Sequence, residues 1–358
     1  MRNRKITLLG PEGTNISIFF LFLVFNFISW FTLFTLSSDI NLDFSNILIR
    51  QIIFSLISIS VFFLLTYISI ETILRFTDII FIITVLALLL LFTTEPRLGV
   101  RRWFDLGLID LQPSEFAKVI LILFVAKYLS EKKFNFFILA GFILTVMLIV
   151  NQPDLGTGII ITSVVVSMLF VTNIRLRYFL LIFLILIFSF FVFLEVGIIN
   201  ENQLDRVNNF FLEEEVDFQQ SQSRLSISSG GFFGQYFQEN QVNKVFVPVE
   251  TTDFIFSAYA YNFGFIGVFF LLLLWVIFFI RLTQILNISS SEFDKYVITG
   301  FIVLLAIQII INISTVIGLV PNTGLPFPLL SLGGSSMVSI ALVFGITNRI
   351  FIENNLVI

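Results

Sequence analysis

Runs of about 20 consecutive apolar residues recur from one end of this 358-residue chain to the other. Each is long enough to carry a helix across a hydrocarbon core of roughly 30 Å. The runs are rich in Leu, Ile, Val and Phe with no alternation of period two, which excludes a membrane β-barrel and leaves a helical bundle. Spans are predicted near 16–36, 49–68, 77–94, 113–130, 134–150, 156–173 and 178–198, then, after a polar stretch over 199–252, near 254–281, 296–318 and 329–352. The expected fold is all-α: a single polytopic transmembrane domain over 1–358, of about ten helices, with one large extracytoplasmic loop between the seventh and eighth.

Composition narrows the chemistry. With 57% hydrophobic and 12% charged residues, the chain cannot clothe a soluble surface of this size. Cysteine and histidine are absent, so disulfides, thiolate metal sites and imidazole catalysis are excluded. Acid–base work must fall to carboxylates, Lys or Tyr. A net charge of −4 argues against a nucleic-acid partner, and no phosphate-binding loop, dinucleotide fingerprint or zinc motif is present. The first apolar run is too long for a secretory signal and lacks a small-residue cleavage site. With the N-terminus inside, twelve of the 20 Lys and Arg fall on the cytoplasmic side, and an even number of spans returns the C-terminus to the same side. The exceptions cluster: Arg97, Arg101 and Arg102 share one short outer loop, which suits either an anion or local pairing with Asp105 and Asp110.

Four segments carry groups that apolar spans do not need. Glu115 and Lys118 stand three apart on the fourth span, so they share a face; they either line a cavity or fix helix packing near the surface. Gln152-Pro153-Asp154 opens the sixth span, where capping alone would account for Asp154. Thr252-Asp253 leads into the eighth span, where the carboxylate is either a partly desolvated base or another helix cap. The run Pro321 to Ser336, PNTGLPFPLLSLGGSS, cannot be a straight helix; it has no charge and is expected to shape a site.

Taken together, RRWFDLG (101–107), QPSEFAK (112–118), NQPDLGTG (151–158), QSRLSISSGGFFG (222–234), TTDFIF (251–256, with the second Thr at 252) and the proline-rich run resemble the RodA/FtsW family, the SEDS group, over about residues 97–350. The length and short termini are more like the RodA, or elongation, branch. The resemblance implies a peptidoglycan glycosyltransferase that polymerises lipid II at the outer face of the bacterial inner membrane, both termini being cytoplasmic. A lipid II flippase without chemistry, a division-type polymerase and a structural scaffold are the alternatives. The family's aspartate of the TDF motif is taken as catalytic and maps to Asp253. Its other motif positions map to Arg101, Arg102, Trp103, Glu115, Lys118, Gln152, Asp154 and Arg224 as substrate-binding residues, Arg224 replacing a usual Lys. A divalent cation (Mg2+ or Mn2+) and a class B penicillin-binding protein are the cofactor and partner implied. Two positions depart from the pattern: Thr251 stands where the family usually has His, and Tyr261 and Asn262 stand where it often has a Glu pair.

Overall fold

The computed structural model describes residues 6–7, 10–11, 15–37, 44–96, 100–107, 110–131, 136–171, 218–236, 238 and 246–355. The seventh expected span, 178–198, and much of the long loop, with Arg97 among the outer basic residues, lie outside the described residues. Among the described residues there are ten α-helices: α1 (Ile16–Ser37), α2 (Phe44–Tyr67), α3 (Ile70–Leu90), α4 (Pro113–Ser130), α5 (Phe136–Asn151), α6 (Leu155–Val171), α7 (Phe218–Gly230), α8 (Ile255–Ile288), α9 (Glu292–Val316) and α10 (Gly334–Asn355). Six of these are long and apolar enough to cross a membrane; α5 and α6 are shorter and apolar, and α4 carries Glu115, Lys118 and Lys127 within 18 residues. The chain is a polytopic helical membrane protein.

Helix α8 runs on to Ile288, past the predicted end at 281, and α2 starts at Phe44 rather than 49; at two other ends, charge and backbone explain the difference. Helix α3 starts at Ile70 rather than 77 because Glu71, Arg75 and Asp78, which interrupt the apolar run, still occupy helical positions, Arg75 pairing with Glu71 at 3.6 Å. Helix α10 starts at Gly334 rather than 329, since Leu329 takes a left-handed φ of 57° and the chain is still turning there.

The described residues divide into two compact units. The first comprises 1–69, 209–288 and 306–358. Its centre is α10, 83% buried along its apolar window, whereas α2 and α8 leave most of theirs outward for lipid. Helices α2 and α10 run side by side at glycines: a Cβ on Gly334 would stand 2.3 Å from Phe54, and one on Gly345 2.9 Å from Leu65. Phe278 stacks on Phe344 at 4.1 Å and Phe25 on Trp275 at 4.4 Å, filling the space between α1, α8 and α10. At the far end Arg349 donates to Thr66 O at 3.2 Å, satisfying a carbonyl in the last turn of α2 that the helix itself leaves open.

The second unit comprises 70–208 and 289–305. Phe81 of α3 stacks on Phe124 of α4 at 4.0 Å, and Gly141 brings α5 onto both rings. Lys127 ties α4 to Asp78 at 2.6 Å. The first half of α9 enters at Gly300, packed on Ile122 and Met168. A short antiparallel ladder pairs Phe104 with Leu111 and Asp105 with Asp110, and delivers the chain from the arginine loop to α4.

Candidate active site

Helix α8 begins at Ile255, and its opening bond runs from Ser257 N to Phe254 O at 3.0 Å. Phe254 thus holds the cap position, and Asp253 stands one residue ahead of it in a turn closed on Val249 O. The carboxylate is half-buried. Over it passes the proline-rich run: Gly324, at φ +67°, lies so close that a Cβ there would meet Asp253 Oδ2 at 3.6 Å. Asn312, buried in α9, joins the two strands of this arrangement by donating to Asp253 O at 2.9 Å and Leu325 O at 2.7 Å. Gln308, one turn earlier, donates to Pro326 O at 3.0 Å. Broken backbone at membrane depth must find partners inside the protein, and these two amides supply them.

Helix α7 completes this end of the unit. Gln220 donates to Thr315 O and Val320 O at 2.9 and 2.8 Å, and Ser223 to Val316 O at 2.8 Å, so α7 is fastened to the carbonyls where α9 stops. Asn322 donates to Gln219 at 2.8 Å and receives Gly324 N at 3.1 Å, fixing the turn above Asp253. One turn on from Gln220, Arg224 is exposed and lies against Gly318. The glycines of SGGFFG explain the rest of the motif. Gly234 and Gly264 meet backbone to backbone, where a Cβ on either would come within 2.3 Å of the other segment. The helix therefore breaks at Gly264 (φ 62°) and hands Tyr261 O and Asn262 O to Gln235 N and Tyr236 N.

The second unit holds the remaining expected residues. Arg102 donates through Nε to Gln152 O at 3.0 Å and through Nη2 to Pro153 O. Gln152 is buried and donates to Leu88 O at 2.9 Å, which anchors the QPD turn to the end of α3. Asp154 accepts Thr157 N at 3.3 Å, as a helix cap does, and also faces Ser114 Oγ at 3.4 Å. Glu115 and Lys118 form a 2.8 Å ion pair, both side chains almost wholly enclosed. The pair expected from the spacing is thus formed, within α4. Arg101 is exposed and Trp103 half-exposed beside it.

The family model of the FtsW, RodA and SpoVE proteins, described as cell cycle proteins, matches residues 14–356. The chain belongs to this family. The match takes in the first three helices, which the motifs alone had left to hydropathy. Stage V sporulation protein E of Bacillus subtilis is 33% identical over 264 residues, 70% of this chain and 71% of that protein. Peptidoglycan glycosyltransferase MrdB of Escherichia coli K12 is 30% identical over 264 residues, with 70% and 71% covered. A probable peptidoglycan glycosyltransferase FtsW of Trichlorobacter lovleyi is 33% identical over 260 residues, with 69% and 68% covered. In fold the chain resembles a chain of a peptidoglycan synthase complex (TM-score 0.76, 24% identity, 96% of this chain and 99% of that one). It also resembles the rod shape determining protein RodA of Thermus thermophilus (TM-score 0.70, 24% identity, 95% and 97%).

Of the positions that depart from the FtsW/RodA/SpoVE pattern, Asn262 takes a structural role: it is buried and donates to Thr35 at 2.9 Å. Residue 251 contributes its backbone carbonyl, which accepts Leu332 N at 2.9 Å whatever side chain stands there. Asn312, Gln308 and Gln220 were not among the expected site residues. The signal for the first two was present, since amides four apart in an otherwise apolar span are rarely idle.

Proposed function

We propose that this protein is a peptidoglycan glycosyltransferase that polymerises lipid II at the outer face of the cytoplasmic membrane, with Asp253 as its general base. The observation that carries this is the carboxylate itself: half-buried, one residue ahead of the helix cap, with Gly324 so placed over it that an added Cβ would meet Oδ2 at 3.6 Å. Asp253 takes the proton of the acceptor's 4-hydroxyl as that oxygen attacks the anomeric carbon of the lipid-linked donor. The new glycosidic bond forms, the bond from that carbon to the pyrophosphate breaks, and configuration inverts. Base catalysis of this kind contributes about 10²- to 10⁴-fold. The leaving pyrophosphate needs charge stabilisation more than a proton. Arg224, exposed in the same unit as Asp253, is the proposed cation for it, and Arg101, exposed in the other unit beside the Arg102 that the QPD turn holds, is a second candidate.

Among the described residues no group of three or more acidic ligands forms a metal cage. The ion proposed is Mg2+ or Mn2+, which Asp253 would hold together with water and substrate phosphate oxygens. Such an ion would supply charge neutralisation at the pyrophosphate. The similarity to MrdB and to a probable glycosyltransferase FtsW, both named for peptidoglycan glycosyl transfer, supports this chemistry; a role in wall elongation and rod shape is our assignment within it. The synthase complex whose chain this fold resembles coordinates polymerization with crosslinking, which supports a class B penicillin-binding protein as partner. Both termini are assigned to the cytoplasm from the distribution of Lys and Arg.

The test is polymerisation of labelled lipid II by wild type and Asp253→Asn, each with and without the cognate transpeptidase. Long glycan from wild type and none from a folded variant is the expected result. Equal polymer from both removes Asp253 from catalysis, and none from either turns the question to lipid II translocation in liposomes.

A further inference from the structure

Three successive carbonyls at the candidate base are each held by a different donor. Thr251 O takes Leu332 N at 2.9 Å, Thr252 O takes Ser331 Oγ at 2.6 Å, and Asp253 O takes Asn312 Nδ2 at 2.9 Å. Two of the three come from the turn over 327–332. That turn is itself closed by Phe327 N donating to Ser331 Oγ at 2.8 Å. What holds the turn comes from far away in sequence. Ser29 Oγ of α1 donates to Leu330 O at 2.9 Å, and Gln51 Nε2 of α2 donates to Ser29 Oγ at 2.8 Å and, more weakly, to Ser331 O at 3.4 Å.

Neither Ser29 nor Gln51 has any exposed surface, and each interrupts an apolar span. Among the described residues the buried Gln51 Oε1 has no hydrogen-bond partner, so the amide carries a desolvation cost that a Met or Leu of similar size would avoid. Packing therefore does not account for an amide here, and its donor side does. We infer that Gln51 and Ser29 are positioning residues for Asp253: they fix the 327–332 turn, which fixes the backbone at Thr251 and Thr252 and so the aim of the carboxylate. This rests on Asp253 being the base.

The experiment compares full-length wild type, Gln51→Met, Ser29→Ala, the double variant, Ser29→Thr and Asp253→Asn, measuring kcat and KM for lipid II polymerisation and the unfolding temperature of each. Gln51→Met and Ser29→Ala are each expected to lower kcat on the order of 10- to 100-fold, the scale of a misplacement of about 1 Å, with KM held within about twofold. Unfolding temperatures stay near wild type. The double variant loses no more than the worse single one, because both residues act through one chain of bonds. Ser29→Thr keeps the hydroxyl and keeps the rate. An inactive Asp253→Asn beside a fully active Gln51→Met overturns the positioning role. So does a fall in rate that only follows a fall in unfolding temperature, or a Ser29→Thr as slow as Ser29→Ala. An active Asp253→Asn removes the base itself, and is told apart by that variant alone.

Discussion

Gly324→Ala separates the shape of the site from the stability of the fold. Gly324 sits at φ +67°, a conformation that costs an L-residue roughly 1–2 kcal/mol. Among the described residues, the one atom that its new methyl would meet within 4 Å is Asp253 Oδ2, at 3.6 Å, which is ordinary contact and no clash. The stability loss is therefore the backbone strain alone, about 1–2 kcal/mol. The effect on rate is larger. A hydroxyl must come within about 2.6–3.2 Å of the carboxylate to pass its proton, and the methyl occupies one side of that approach. Displacing the acceptor by about 1 Å lowers kcat on the order of 100-fold. Gly231→Ala is the control, since Gly231 has φ +58° but open space around it, so it carries the strain without the contact. Thermal unfolding of the purified protein and gel separation of polymerised lipid II read the two effects. A folded Gly324→Ala that polymerises at the wild-type rate would refute an acceptor arriving beneath the proline-rich run, and with it the geometry assigned to Asp253.

Gly264→Ala should behave in the opposite way. Its Cβ would stand 2.3 Å from Gly234 N and 2.7 Å from Phe232 O, backbone atoms that cannot swing aside, at φ +62°. Strain and overpacking together cost about 2–5 kcal/mol, read as a large drop in unfolding temperature and in recoverable folded protein. Lys118→Met alone leaves the enclosed Glu115 carboxylate without its partner and costs about 3–5 kcal/mol, while the added change Glu115→Gln recovers most of it. Unfolding curves that are equally depressed for the single and double variants would show that the pair is not the source of the loss.

Much of this architecture was legible because membranes impose a simple grammar. Apolar length located nine of the described helices, and two of the misplaced ends lie where charge or a left-handed residue intervened, at Asp78 and Leu329. The proline-rich run announced broken backbone, and the structure lays it over Asp253 through Gly324. What spacing could not reveal was partnership across distance. Why Gly234 must be a glycine depends on the segment at Asn262 and Phe263 meeting it backbone to backbone. Gln51 shows the limit most clearly. It reads as one polar residue in an apolar span, and its meaning lies 280 residues away at Ser331.

The side chains around Asp253 also divide by charge in a way the bilayer explains. Those that fasten its surroundings, Asn312, Gln308, Gln220, Asn322, Ser331 and Gln51, are all neutral amides or hydroxyls. An ionised group at such depth costs several times more to bury than an amide, so rigidity is built from uncharged donors. Arg224, exposed in the same unit, takes no part in that scaffolding in any bond described above. Substrates tethered by lipid tails arrive already confined to the plane in which the site lies, which supplies proximity without a deep pocket.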